Sequence, residues 1–524
     1  MPGPDIHEIP APFEPAALID ALGPGWALVE EPAGRRRYEF ADSFDWRLHA
    51  RGLRLARVAE GAKRHWELCS RDGAVIAAPA LAEFPIGVDD LPPGALRDAL
   101  ADLLAPRVLL ARAGLEARVR RWRLVDGDGK TVLRLAEEDG HAVATEGTPR
   151  LRVPLPRRLI LEPLKGYDDS ADAVAAQLER RFAARAVPRC ECEAVCRVLG
   201  VAPGGYSSKI RVRLTPELPG AEAARRIHRQ LLETLEANVA GTRAGLDPEF
   251  LHDLRVSVRR TRSALTQIRD VFPEARVRQF REAFGWLGEV TGPTRDLDVF
   301  LLQLPEYHDE LPVDLQGDLE PFRGFLLDEH RREQAQLARR LAAPRFRGLM
   351  TEWRDFLDAE PDLEAAPDAA LPVGELAGRR IWRAFRRVIR DGRAAVEAPA
   401  PEVLHELRKD CKKLRYLQEF FASLYPAERL DPLIKALKVL LDVLGEHQDL
   451  AVQAQHLEGF AERMAAEGRA PARTLLALGA LVGSLRARQA ASRAAFAARF
   501  DALDSEENRG AYRALFKPAA DPAA

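Results

Sequence analysis

Two stretches of the chain place basic residues three or four positions apart, the spacing that brings side chains to one face of an α-helix. The residues with this spacing are His252, Arg255, Arg259 and Arg262 in the first stretch and His405, Arg408, Lys412 and Arg415 in the second. We call each set a basic stripe. Arg260 and Lys413 are further basic residues inside the two stretches. At a rise of about 1.5 Å per residue, a stripe extends roughly 15 Å along its helix.

Acidic residues are nearly absent from both stretches. No acid falls between Leu254 and Arg269, and only Asp410 falls between Leu407 and Gln418. Neighbouring cations repel each other unless an anion or a buried acid compensates them. Arginine binds phosphate oxygens in pairs and lysine supplies a point charge, so a linear polyphosphate fits a linear row of cations. The alternative for a single stripe is a solvated charged face, and finding the stripe twice favours binding.

Other basic residues extend the candidate site. They are Arg225 and Arg229 in the first half, and Arg379, Arg383 and Arg386 in the second. No acid occurs from Arg379 to Arg390. The two stripe histidines can donate from a ring nitrogen to phosphate, or they are helix-start histidines with local partners.

Three aspartates, Asp296, Asp298 and Asp449, could act as general acids or metal ligands. We interpret them instead as helix caps or as acids that orient arginines. The chain therefore offers no catalytic residue, metal ligand set or cofactor site that we would assign.

An internal repeat defines the elements that carry the stripes. At a constant offset of 153 residues the matches are Leu251–Arg255 with 404–408, Arg259-Arg260 with Lys412-Lys413, Phe272-Pro273 with Tyr425-Pro426, Gly292 with Gly445, and Asp296-Leu297 with Asp449-Leu450. Apolar residues beside each stripe, Leu251, Leu254 and Val258, then Leu404, Leu407, Cys411 and Leu414, predict the packed face of each helix. We predict an all-α domain over 217–518, built from two pseudo-two-fold-related helical bundles at about 219–360 and 372–518.

The first part of the chain differs in pattern. Alternating segments and turn signals predict an α+β domain over residues 1–185, including a hairpin that turns at Asp126–Gly129 and a helix over 94–110. A linker is predicted over 186–216. Within it, Cys190, Cys192 and Cys196 fit thiols packed on a short helix better than a zinc site, because no histidine follows at ligand spacing.

Composition limits the partners. The formal net charge is −2, so anion binding must come from locally segregated charge. A general nucleic-acid coat protein would be strongly basic. The few aromatic residues do not interleave with the stripes, which disfavours single-strand nucleic-acid binding. We expect no signal peptide and no membrane span. The few cysteines fit a cytoplasmic protein.

The stripe residues resemble the signature of the CHAD family, helical domains named for their histidines. The resemblance covers residues 215–515 and rests on Leu251–Leu265 and Leu404–Tyr416. It implies two helical bundles around a basic surface that binds inorganic polyphosphate, association with polyphosphate granules, and no catalysis. One departure is Gln448, which stands where the first copy has Arg295.

The N-terminal part resembles the CYTH family, whose fold is an antiparallel β-barrel or triphosphate tunnel often fused to CHAD. Tyr38–Leu55 is similar to its strand-loop-strand segment, and Pro203–Lys209 to the joint between the two domains. That family uses a Glu-x-Glu-x-Lys motif on its first strand to hold a divalent metal. The sequence Asp5-Ile-His-Glu-Ile has no such motif. We therefore predict a degenerate domain that is not an enzyme, with metal-dependent triphosphatase or cyclase activity as the alternative function.

Overall fold

The computed structural model describes residues 5–71, 73–80, 84, 87–145, 151–187 and 191–517. The chain divides into two compact units, Met1–Ser207 and Ser208–Ala524. The linker predicted over 186–216 spans this division. None of the described helices combines the length and the apolar character that a membrane crossing needs.

A ten-stranded antiparallel sheet forms the first unit. Its strands are β1 (Asp5–Ile9), β2 (Ala27–Asp42), β3 (Leu53–Glu60), β4 (Lys63–Ser70), β5 (Val75–Ala77), β6 (Leu110–Val125), β7 (Thr131–Val143), β8 (Arg152–Pro154), β9 (Arg157–Pro163) and β10 (Arg185–Val187). They follow the order β10-β1-β9-β7-β6-β2-β3-β4-β5, with β8 paired to β7. Within the described residues β10 and β5 do not pair, so the predicted closed barrel or tunnel is wrong. Both end strands have only three residues and offer few backbone groups for closure.

The sequence located several of these elements. The predicted hairpin is confirmed, since β6 and β7 pair through the turn at Asp126–Gly129, and the Gly129 φ of +75° suits glycine there. The unit also contains helices α1 (Pro15–Leu22), α2 (Arg47–Ala50), α3 (Ala95–Leu104), α4 (Asp168–Phe182) and α5 (Glu191–Val198). The predicted helix over 94–110 corresponds to α3, which ends earlier, at Leu104, because Pro106 disfavours a helical conformation in the residue before it.

Helix α5 occupies part of the segment predicted as a linker. Its Val195 and Cys196 are fully buried in a cluster with Tyr38 and Phe40, so the helix belongs to the core of the first unit. Cys192 is half-buried on the same helix, whereas Cys190 lies outside the described residues. Among described residues no group of His, Cys, Asp and Glu is arranged to hold a metal ion.

The second unit is helical. Its helices are α6 (Gly220–Ala244), α7 (Pro248–Gln267), α8 (Glu274–Val290), α9 (Gly292–Glu310), α10 (Val313–Gln316), α11 (Glu320–Ala342), α12 (Pro344–Asp358), α13 (Val373–Glu397), α14 (Pro401–Phe420), α15 (Ala427–Ala466), α16 (Ala472–Leu503) and α17 (Glu506–Phe516). A large apolar core joins α6–α8, α11 and α12 to α13–α17, and a smaller one joins α9 and α11 to α15 and α16.

Helix lengths follow the sequence repeat. α6 and α13 both have 25 residues, and α7 and α14 both have 20. Each second-copy helix begins 153 residues after its counterpart (373 − 220 and 401 − 248). The copies differ where α8 and α9 are separate helices but α15 is one helix of 40 residues. Pro293 explains this break, because proline has no amide hydrogen and its ring clashes with the preceding turn. Its counterpart in α15 is Glu446.

Candidate anion-binding site

Local sequence fixes the two stripe helices. Asp247 caps α7 by accepting hydrogen bonds from the backbone amides of Glu249 (3.0 Å) and Phe250 (3.2 Å), and Pro248 occupies the first turn. α14 likewise begins with Pro401. The predicted apolar faces are confirmed as buried: Leu251, Leu254 and Val258 on α7, and Leu404, Leu407, Cys411 and Leu414 on α14. Burial of these faces orients the basic stripes beside them.

The first stripe contains one arginine held by the protein and two that are exposed. Arg255 donates to the Gly288 carbonyl at 2.9 Å and to Thr291 Oγ1 at 2.8 Å. Arg259 is exposed and donates from Nε to the Tyr416 hydroxyl at 2.9 Å. Arg262 is also exposed. Neither Arg259 nor Arg262 forms an ion pair with a described carboxylate.

The second stripe is more strongly paired with acids. Arg408 contacts Asp449 at 3.0 Å, and Asp449 is itself 61% exposed. Arg415 contacts Glu419 at 2.9 Å, and Arg260 of the first copy contacts the same carboxylate at 3.1 Å. The half-buried Lys412 has no carboxylate within ion-pair distance in the described part of the chain.

Lys412 shows that the stripes converge. Burial, followed by repulsion from Arg408, Arg259 and Arg415, lowers the pKa of Lys412 from 10.5 to about 8, against the attraction of Asp449. Arg259 belongs to α7, so cations from both copies act on one ammonium group. We call the five residues Arg255, Arg259, Arg262, Arg408 and Lys412 the α7/α14 basic surface.

Each stripe histidine contacts a residue 43 positions later. His252 Nδ1 lies 2.9 Å from a guanidinium nitrogen of Arg295, and His405 Nδ1 lies 2.9 Å from the amide oxygen of Gln448. Arg295 also approaches Asp298, whose other oxygen lies 2.8 Å from His330 Nε2. Asp298 and Asp449 thus contact arginines, as the sequence predicts.

Two predicted site residues bind backbone carbonyl groups at the end of α12. Arg225 is buried and donates to the carbonyls of Phe356, Leu357 (3.2 Å) and Ala359 (2.7 Å), where α12 ends. Arg229 donates to the Leu357 carbonyl and contacts Asp358 at 3.3 Å. These arginines satisfy the last carbonyl groups of α12, which a helix cannot bond internally. The structure therefore does not bring them to the α7/α14 basic surface.

The remaining predicted site residues are three arginines on α13 and Lys413 on α14. Arg379 forms an ion pair with Glu375 on its own helix. Arg383 and Arg386 are exposed on α13 and have no described carboxylate partner. Lys413 points to Asp410 at 2.7 Å, whereas Lys412 is near Arg259. Arg383 and Lys413 line one cleft with Arg269, Arg380 and Arg387.

Sequence reasoning missed several contacts. Tyr416, Glu419 and Thr291 hold Arg259, Arg260 and Arg255 of α7, and the contacts join residues 157, 159 and 36 positions apart. Such contacts depend on how helices pack and leave no periodic signal. Alignment of the two copies could have revealed one difference only: Glu419 in the second copy stands where the first copy has Thr266.

Two buried carboxylates of the first unit form ion pairs with arginines. Glu138, nearly fully buried, contacts Arg36 at 3.1 Å and Arg158 at 2.8 Å. Glu137, equally buried, accepts from Arg120 Nε at 2.7 Å and from the Phe13 amide at 2.9 Å. These two acids on β7 compensate partly exposed arginines on strands β2, β6 and β9.

The second unit is thus a duplicated all-helical domain that carries a basic surface on two equivalent helices. The family model of the CHAD domain matches residues 226–458, which include both stripes. This chain therefore contains a CHAD domain.

This chain is similar to several known proteins. The uncharacterized proteins Rv2226 and MT2285 from two strains of Mycobacterium tuberculosis are each 29% identical over 273 residues, covering 49% of this chain and 51% of the relative. The chain spans about half the length of the curated relatives it matches. The CHAD domain of the plant Ricinus communis is 27% identical, with a TM-score of 0.47 over 57% of this chain and 98% of that chain. PptA from Streptomyces chartreusis is 18% identical, with a TM-score of 0.43 over 54% and 100%.

Proposed function

We propose that the helical unit binds inorganic polyphosphate along the α7/α14 basic surface, without catalysis. The observation that carries this proposal is the 2.9 Å hydrogen bond from Arg259 on α7 to the Tyr416 hydroxyl on α14, the helix that carries Lys412. Burial and neighbouring cations, including Arg259, lower the pKa of Lys412 there. Holding these cations together costs free energy in the unliganded protein. A polyanion that spans both helices would recover it.

The exposed arginines supply the ligand-facing groups. Arg259 and Arg262 present guanidinium groups without a described acid partner, and guanidinium forks match phosphate oxygens in pairs. Arg408 would exchange its exposed partner Asp449 for phosphate at low cost, because exposed ion pairs contribute little. Arg255 is expected to act mainly through its charge, since its hydrogen bonds go to Gly288 and Thr291.

We infer a pseudo-two-fold relation between the two copies, which would support one shared site. Pro219 and Pro372, which are equivalent at the repeat offset of 153, form an antiparallel bridge with each other. Contact between equivalent residues is the signature of a two-fold arrangement. In such an arrangement α7 and α14 would lie on either side of the axis and present their stripes to the same ligand.

Two other functions are less well supported. Nucleic-acid binding by stacking is disfavoured at the α7/α14 basic surface, because the Tyr416 ring beside Arg259 is only 4% exposed. Metal-dependent triphosphatase or cyclase activity in the first unit needs free carboxylates, and Glu137 and Glu138 already bind arginines. Turnover of triphosphate with magnesium or manganese at ordinary enzyme rates would overturn the non-catalytic part of the proposal. Association with polyphosphate granules would follow from the ligand.

Titration of the full chain tests the proposal. Long-chain polyphosphate, ATP and duplex DNA are compared at matched ionic strength, between about 50 and 200 mM salt. We expect the tightest binding for polyphosphate, with an affinity that falls steeply with salt because several phosphates are neutralised together. An affinity that does not change with salt, or a preference for DNA, would contradict the proposal.

A further inference from the structure

A second basic cleft lies between α13, α14 and the C-terminal end of α7. Its cavity has a volume of about 240 Å³. Its polar lining includes Thr266, Arg269, Arg380, Arg383, Arg387 and Lys413. Consecutive residues of a helix differ by about 100°, so Lys413 points away from Lys412. The lining shares no residue with the α7/α14 basic surface.

Charge in this cleft is unbalanced. Five cations line it, but Asp410 is the only acid in its lining. Asp410 is buried and contacts both Lys413 (2.7 Å) and Arg387 (3.0 Å). Arg380 is held by Asp368 at 2.7 Å and Asp270 at 3.1 Å. Arg387 also approaches Asp391 at 3.5 Å. Three of the five cations are therefore paired with described acids, and two remain to meet a ligand.

The uncompensated cations are Arg383 and Arg269. Arg383 has no ion-pair partner among the described residues. Arg269 donates only to the carbonyl of Thr266, at 3.1 Å, and is exposed. Two guanidinium groups at the opening of a polar cleft provide forked donors for a tetrahedral oxyanion.

Comparison of the two copies shows that the residues lining this cleft differ from their counterparts in the other copy. At the offset of 153, Lys413 corresponds to Arg260, and Thr266 corresponds to Glu419. Arg260 is neutralised by Glu419 at 3.1 Å. On the equivalent side Lys413 and Thr266 line the cleft together, so an uncharged hydroxyl replaces the carboxylate. An ion pair between the two helices, Arg260–Glu419, thus closes one side, whereas on the other side Lys413 pairs with Asp410 of its own helix and no ion pair joins it to α7 among the described residues.

We propose that this cleft is a second anion site, which binds a compact oligophosphate independently of the α7/α14 basic surface. The cavity exceeds the roughly 30 Å³ that one water molecule occupies in the liquid, so it has room for more than one oxygen of the ligand. The cleft is lined on three sides by helices, which suits a short anion better than the middle of a long chain.

Calorimetric titration of the full chain with inorganic triphosphate tests this site. Two single variants are compared with the unmodified protein: Arg383→Ala in the cleft and Arg339→Ala on α11 as the matched control. Both arginines are exposed on a helix, and neither has an ion-pair partner among the described residues. Arg383→Ala should weaken triphosphate binding about tenfold, as expected for loss of one charge-assisted contact. Arg339→Ala should change it less than about twofold. The Arg383→Ala variant is also titrated with long-chain polyphosphate.

The outcomes separate the two sites. Equal triphosphate binding by the Arg383→Ala and Arg339→Ala variants would overturn the cleft proposal. Equal losses of triphosphate and long-chain polyphosphate affinity in Arg383→Ala would also overturn it, since they would indicate one continuous surface. If the unmodified chain binds triphosphate in an Arg383-dependent way but does not bind long-chain polyphosphate, the cleft stands and the proposed function fails.

Discussion

Arg295 donates a hydrogen bond to Nδ1 of His252 across 2.9 Å, joining the start of the first basic stripe to α9. A guanidinium has donors only, so His252 must accept at Nδ1 and carry its ring hydrogen on Nε2. In the second copy His405 Nδ1 faces the amide oxygen of Gln448 at the same distance and must donate. The first copy has Arg295 where the second has Gln448. Because of this difference, the neutral forms of His252 and His405 carry their ring hydrogen on opposite nitrogens.

Arg295→Gln should give His252 the tautomer of His405, because its Nδ1 would then face an amide oxygen. Nitrogen-15 spectra of the imidazole rings distinguish the two tautomers, and the His252 signals are assigned by their loss in His252→Ala. The matched change Gln448→Arg should convert His405 in the other direction. A His252 ring that carries its hydrogen on Nδ1 in the unmodified protein would contradict this assignment.

Replacing Arg225 by alanine should destabilise the helical unit by about 3 kcal/mol, because three carbonyl groups at the end of α12 lose a charged donor. The measurement is urea unfolding followed by the helical signal. Arg226→Ala is the matched control: Arg226 is exposed and pairs only with Glu222, so about 0.5 kcal/mol or less is expected. Comparable losses in the two variants would show that the α12 contact contributes nothing.

Polyphosphate affinity should fall about tenfold between pH 7 and pH 9. The pKa of Lys412 in the free protein is about 8, and a bound phosphate favours the charged ammonium, so binding takes up a proton as the pH rises through 8. Lys412→Arg should remove this dependence, because arginine stays charged. A pH profile that is the same for the unmodified protein and Lys412→Arg would exclude Lys412 as a ligand contact.

Lys412 should also make the free energy of unfolding depend on pH. Its pKa in the folded protein lies below the value of 10.5 for an ordinary lysine, so between about pH 8 and 10.5 the unfolded chain binds more protons. The contribution of Lys412 to the free energy of unfolding should therefore increase with pH over this window. Unfolding experiments on Lys412→Met should show a smaller increase than the unmodified protein.

Sequence periodicity determined much of this description and failed where tertiary packing decides. The repeat predicted equivalent helices, and the buried faces of α7 and α14 followed from Leu254 and Leu407. It could not predict that Arg225 contacts carbonyls more than 130 residues away, because a basic residue has the same pattern whether it caps a helix or faces water. The closure of the sheet was also not determined locally, since it depends on the lengths and positions of β5 and β10.

Polyphosphate affinity of two charge-matched triple variants tests the central claim most directly. One variant replaces Arg259, Arg262 and Lys412 by alanine, and the other replaces Arg331, Arg332 and Arg339, which are exposed on α11. Both remove three positive charges, and alanine is favourable within a helix. At matched ionic strength we predict a loss of about 100-fold or more for the first variant and about threefold or less for the second. Equal losses in the two variants would contradict a binding site on the α7/α14 basic surface.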